Sequence, residues 1–195
     1  MKIPLTLDPH RHVFNEARYL PSPNADERPD ERDLQLIVIH GISLPPGRFG
    51  GSGVEQLFTN TLDPTEDDYY RQIQGLKVSS HLFINRRGEL MQFVPFNKRA
   101  WHAGVSHFKD RSACNDFSIG IELEGTDKTP YTAAQYETLS QVLLSLVAAY
   151  PTLSLERVRG HSDIAPGRKS DPGEYFMWSF LDGVKAHKAV MDAKT

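Results

Sequence analysis

The sequence predicts an α+β (mixed α/β) fold, and three observations lead there. Leu34 to Ile39 is a nearly unbroken apolar run rich in β-branched residues, Ser118 to Glu124 alternates apolar with polar positions, and residues 132–150 carry apolar side chains at helical spacing. The chain has 195 residues. That is enough for one continuous core, so 1–195 reads as a single domain.

Residues 1–33 read as a largely extended N-terminal arm, because 21–33 hold Pro21, Pro23, Asn24, Asp26, Arg28, Pro29 and Asp30. The run from Leu34 to Ile39 reads as a strand covered on both faces, with His40 at its C-terminal end. Gly41 to Gly53 contains five glycines and two prolines. Such a segment is a loop, placed to shape a binding rim. Ser80 to Asn85 and Glu89 to Val94 read as an antiparallel hairpin turning through Arg86-Arg87-Gly88. In Ser118 to Glu124 the core face carries Ile119, Ile121 and Leu123, so Glu122 and Glu124 project together from the other face. Thr132 caps the next helix with Gln135 answering it, and Tyr136, Leu139, Leu143, Leu146 and Tyr150 form its stripe until Pro151 ends the run. Phe176 to Val190 closes the chain as a second amphipathic helix, with Phe180, Leu181 and Val184 as its buried side.

Composition narrows the function classes. With 39% hydrophobic and 24% charged residues the chain is ordinary for a globular protein. A net charge of −3 and a pI near 6.2 offer no attraction to nucleic acid. The N-terminal residues lack the apolar core of a secretory signal, and no stretch approaches the roughly 18 apolar residues of a membrane span. A cytoplasmic protein with no membrane partner is expected. The single cysteine, Cys114, excludes an internal disulfide and suits a reducing compartment.

Several residue types point to metal-assisted chemistry. A catalytic zinc takes three His, carboxylate or thiolate ligands and keeps one place open for water. His40, His161 and Asp171 meet that count, although their spacing alone leaves other readings open. His40 also reads as a core histidine at a strand end, Asp171 as a turn carboxylate before Pro172-Gly173, and Lys169 as a solvated charge. Glu122 must face water, a partner or a site, and Glu124 is its rival for any role. His161-Ser162-Asp163 holds triad residue types, but sequence neighbours point apart and cannot hydrogen-bond in series. Cys114 beside Asn115-Asp116 lacks cationic activation and reads as inert.

Longer motifs make the chain recognisable. Ile39-His40, Ile42-Ser43-Leu44-Pro45-Pro46-Gly47 and Phe49-Gly50-Gly51 occur in order with Lys98-Arg99-Ala100-Trp101-His102-Ala103-Gly104. Cys114-Asn115-Asp116-Phe117-Ser118-Ile119-Gly120-Ile121-Glu122-Leu123-Glu124-Gly125 follows, then Ile164-Ala165-Pro166, Arg168-Lys169 and Asp171-Pro172-Gly173. Over about residues 13 to 180 the chain resembles the zinc N-acetylmuramoyl-L-alanine amidases, in particular the 1,6-anhydro-muramyl type known as the AmpD family. The resemblance implies a peptidoglycan recognition protein-like fold, a central mixed β-sheet flanked by helices with one Zn2+ in a groove. It implies His40, His161 and Asp171 as the zinc ligands and Glu122 and Lys169 as the catalytic pair. It further implies hydrolysis of the bond between (1,6-anhydro-)N-acetylmuramic acid and L-alanine in small muropeptides, in peptidoglycan recycling, and a monomer is expected. Trp101 and His102 are expected to line the groove. Two positions depart from the family pattern, Gly41 and Ala113, and leave Lys77 and Arg111 as candidate cationic partners for the peptide carboxylates. A peptidoglycan-binding module without activity, and a lysin acting on intact wall, are the competing classes.

Overall fold

The computed structural model describes residues 5–193. Four short strands come first, β1 (Leu7–Asp8), β2 (Val13–Phe14), β3 (Arg18–Tyr19) and β4 (Ala25–Glu27). The long strand β5 (Leu36–Ile42) leads through a loop to α1 (Gly53–Phe58) and α2 (Asp68–Gln72). The hairpin β6 (Leu82–Ile84) and β7 (Leu90–Gln92) follows, then β8 (Lys98–Ala100), β9 (His107–Phe108) and β10 (Arg111–Ser112). The second long strand is β11 (Ser118–Glu124), and α3 (Ala133–Ala149), β12 (Val158–Gly160), α4 (His161–Ile164) and α5 (Phe180–Asp192) complete the order.

Six strands form one mixed sheet in the order β12-β5-β11-β6-β7-β3. The first four run parallel, and β6 turns antiparallel into β7. Alternation decides what each face meets. Ile37, Ile39, Ile119, Ile121 and Leu123 pack against Leu139, Val142, Leu143 and Leu146 of α3 and Leu181 and Val184 of α5. The opposite face, Leu36 and Val38, meets Ala103, Cys114, Phe117 and Ile164. Both faces of β11 are covered, so all seven of its residues are buried, Glu122 and Glu124 among them. Thr132 and Gln135 make the reciprocal cap of α3 that their spacing predicts. Among the described residues, no helix is long and apolar enough to cross a membrane.

The N-terminal segment departs from the expected extended arm. Phe14, 1% exposed, belongs to the main core, and β3 adds an edge strand to the sheet through β7. Arg28 is buried and donates hydrogen bonds to the carbonyls of Phe96, Asn115, Asp116 and Ser118. Burial lowers its pKa to about 10. It therefore stays charged, and the four carbonyls replace the water it has lost. Strands of two or three residues are too short to leave a periodic signature, and Arg28 reads as surface charge until its carbonyl cage is seen. Residues 1–4 of the expected arm lie outside the described residues.

Candidate metal centre and active-site groove

Parallel strands in register bring the chemistry together. Glu122 of β11 sits beside His40 of β5, and Gly160 of β12 sits beside Ile39, so His161 follows directly at the same end of the sheet. His40 shares its face of β5 with Leu36 and Val38, which places it opposite α3. The C-terminal ends of adjacent parallel strands thus deliver three functional side chains to one crevice, as is usual in open sheets with parallel strands. His40 lies inside β5, two residues before its end, and His161 opens a helical turn.

Asp171 comes from a strap, residues 165–173, that folds back over this end. Ser162 N–H donates to the Asp171 carbonyl at 3.0 Å, and the Tyr131 hydroxyl donates to the Pro172 carbonyl at 2.9 Å. The Ser170 hydroxyl donates to the Asp127 carboxylate. Gly173 has φ +85°, and a Cβ there would lie 2.2 Å from the Asp127 backbone. Only glycine fits that turn.

The three side chains meet with His40 Nδ1 to His161 Nδ1 at 3.0 Å, His40 Nδ1 to Asp171 Oδ2 at 3.1 Å and His161 Nδ1 to Asp171 Oδ2 at 3.2 Å. His161 Nε2 donates to the Ala103 carbonyl at 3.0 Å, so its Nδ1 carries a lone pair. A lone pair aimed at a second imidazole nitrogen and a carboxylate oxygen inside a buried cluster calls for a cation. Two donors of a tetrahedral zinc with bonds of about 2.0 Å stand about 3.3 Å apart. The donor set and its spacing therefore fit the ion. Burial pushes His40 down, with Asp171 opposing. Burial alone would raise Asp171, but hydrogen bonds and charge from His161 and His40 overcome it and hold the carboxyl below its usual range. A neutral imidazole beside an ionised carboxylate is the state in which both bind metal.

Glu122 is 8% exposed, and its Oε2 has no hydrogen-bond partner. Burial, then the Asp171 carboxylate, push its pKa well above the ordinary range, and Lys169 opposes them. An orphaned carboxylate oxygen with raised basicity beside a metal cluster is equipped to accept a proton. Its rival Glu124 is fully employed: Gly50 N–H and Arg86 N–H donate to its two oxygens, tying the glycine-rich loop to the hairpin turn.

Glu122, Lys169 and the three clustered side chains line a cavity of about 550 Å³. Trp101 and His102 line it as well, Trp101 half-buried in the wall and His102 buried behind His40. Lys77 is exposed beside the cavity-lining Leu76 and Val78, and it lines a neighbouring depression instead. Arg111 is absent from the wall. Its guanidinium pairs with Asp33 at 2.6 Å and lies over Phe117, so its charge is committed elsewhere. Sequence reasoning missed Tyr131, which anchors the strap, and Ser118, which touches His102. Tyr131 left no signal beyond an aromatic residue before a helix cap. Asp127 and Lys128 also line the cavity without having been singled out.

Comparison with known proteins places the chain among amidases. The chain is 54% identical over 170 residues to a protein of Salmonella typhimurium (strain SL1344) named 1,6-anhydro-N-acetylmuramyl-L-alanine amidase AmpD, covering 87% of this chain and 90% of that one. A crystal structure of a selenomethionine AmpD derivative superposes with a TM-score of 0.88 at 50% identity, covering 92% of this chain and 98% of that one. A structure of the N-acetylmuramyl-L-alanine amidase AmiD from E. coli, in complex with the substrate anhydro-N-acetylmuramic acid-L-Ala-D-gamma-Glu-L-Lys, matches with a TM-score of 0.57 at 30% identity, over 78% of this chain and 58% of that one. The family profile described as N-acetylmuramoyl-L-alanine amidase matches residues 30–174, a span that contains His40, Glu122, His161, Lys169 and Asp171. With that span matched and its polar side chains gathered in one groove, the chain belongs to the N-acetylmuramoyl-L-alanine amidase family.

Proposed function

We propose that the protein is a zinc-dependent hydrolase of the amide bond between 1,6-anhydro-N-acetylmuramic acid and L-alanine in soluble muropeptides, serving peptidoglycan recycling. The observation that carries this reading is the buried His40-His161-Asp171 cluster with the unpartnered Glu122 oxygen at the same sheet end. His40, His161 and Asp171 would hold the zinc, which when bound would supply Lewis acidity toward water and the carbonyl oxygen. Glu122 takes the proton of the attacking water and returns it to the departing L-alanine amine, which its raised basicity allows. Lys169, exposed at the groove, offsets the charge that develops on the carbonyl oxygen. Trp101, half-buried in the groove wall, offers the sugar an apolar face.

The test is incubation with a soluble 1,6-anhydro-muramyl tripeptide and, separately, with intact sacculi, with free peptide detected by mass and zinc measured before and after chelation. Release from the soluble substrate, lost on chelation and restored by zinc, is expected. Release from sacculi alone would mean a wall lysin, and binding without release would mean a recognition module.

A further inference from the structure

His40 offers its Nδ1 to the cluster, so its proton must sit on Nε2, and nothing in the cluster itself enforces that. The metal-free arrangement favours the opposite tautomer, because Asp171 Oδ2 at 3.1 Å would accept a hydrogen bond from His40 Nδ1–H. The preference has to come from behind the ring. His40 Nε2 is 2.9 Å from His102 Nδ1, and His102 Nε2 is 3.2 Å from the Ser118 hydroxyl. Ser118 Oγ is 2.6 Å from the Cys114 carbonyl, which can only accept. A hydroxyl has one proton. With that proton given to Cys114, Ser118 Oγ is an acceptor toward His102, which therefore carries its hydrogen on Nε2 and a lone pair on Nδ1. That lone pair accepts from His40 Nε2–H and leaves His40 Nδ1 bare. All three contacts are buried, so water cannot substitute for a wrong direction.

The backbone makes room for this chain of bonds. A Cβ on Gly120 would lie 2.5 Å from His102 Cγ, so only the bare strand lets the imidazole lie against β11 and reach Ser118 and His40 together.

We propose that Ser118 is a positioning residue that, through His102, sets the tautomer of His40 and holds its Nδ1 ready for a metal before the metal arrives. The inference rests on His40 being a metal ligand, but its decisive readout needs neither zinc nor substrate. In the metal-free full-length protein, two-dimensional 15N–1H spectra of the histidine rings assign the proton on each imidazole. The wild type should show His40 protonated at Nε2 alone. Ser118→Ala, with its fold checked by circular dichroism, should show His40 shifted toward the Nδ1–H form, and its zinc affinity in a chelator competition should fall about tenfold, as for other partners behind a metal ligand. A wild-type His40 protonated at Nδ1, or a Ser118→Ala protein whose His40 keeps its proton on Nε2, overturns the proposal whatever its hydrolytic activity. Failure of the amidase reading would instead appear as an intact tautomer pattern in a protein that releases no peptide.

Discussion

Glu122 and Glu124 leave the same face of one strand two positions apart, and their surroundings give them opposite work. Two backbone N–H groups hold Glu124, whereas one oxygen of Glu122 is buried without a partner. A carboxylate already saturated with donors is a weak base, and one stripped of them is a stronger one. Glu122→Gln keeps the shape and removes the basicity. The variant should retain one zinc per chain by metal analysis while peptide release falls about 10³-fold, within the usual range for loss of a general base. Near-normal turnover would remove Glu122 from the mechanism. Asp171 supplies the one carboxylate among the three clustered side chains. Asp171→Ala should weaken zinc binding more than the roughly 100-fold seen at most for outer partners, measured by competition with a chelator. Full zinc content after dialysis against the chelator would take Asp171 out of the metal shell.

At the scale of elements, what could be read in advance followed from length and periodicity. The strand from Ser118 to Glu124, the hairpin around Arg86-Arg87-Gly88 and the capped helix after Thr132 each repeat a pattern over enough residues to stand out, and the structure contains all three. The six-residue α1, the five-residue α2 and the three-residue β12 fall below that length, and tertiary packing decides them. His40, His161 and Asp171 were singled out as candidate metal ligands through motif resemblance. Their meeting depends on β5, β11 and β12 aligning in parallel register, which no local pattern encodes. The same distinction separates two variants at neighbouring positions. Thr132→Ala removes the cap of α3 and should cost about 1 kcal/mol, read as a melting temperature lower by about 3 °C with zinc affinity unchanged. Tyr131→Phe removes only the hydrogen bond to the Pro172 carbonyl, and with it one restraint on the strap that presents Asp171. A loss near 1 kcal/mol there should appear as zinc binding about fivefold weaker, with the melting temperature of the metal-free protein shifting less than in Thr132→Ala. Equal zinc affinity in wild type and Tyr131→Phe would show that the strap is held without it.

For the molecule as a whole, the arrangement at Glu122 trades stability for chemistry. Its pKa in the folded protein is raised above the ordinary 4.5 by burial and by the Asp171 carboxylate. The folded state therefore keeps this proton to higher pH than the unfolded chain does. The contribution of Glu122 to stability is fully present below its unfolded value and is lost as pH rises through its folded value. Above the unfolded value, ionisation of the buried and partly unpaired Glu122 carboxyl works against folding of the metal-free protein. Glu122→Gln cannot ionise, so the metal-free variant should melt above the metal-free wild type at pH 7 to 8, by about 3 °C for each kcal/mol recovered. The gap should shrink as pH falls below 4.5, where the wild-type carboxyl becomes mostly protonated in both states. All other titrating groups are shared by the two proteins, so their pH dependence cancels in the difference. Zinc provides the counter-test: a divalent cation beside the carboxylate favours its charged form, so saturating zinc should raise both melting temperatures and narrow the gap between them. A gap that stays constant from pH 4 to pH 8, or a variant less stable than wild type at neutral pH, would mean that the folded protein does not bear the cost of holding its proton acceptor dry.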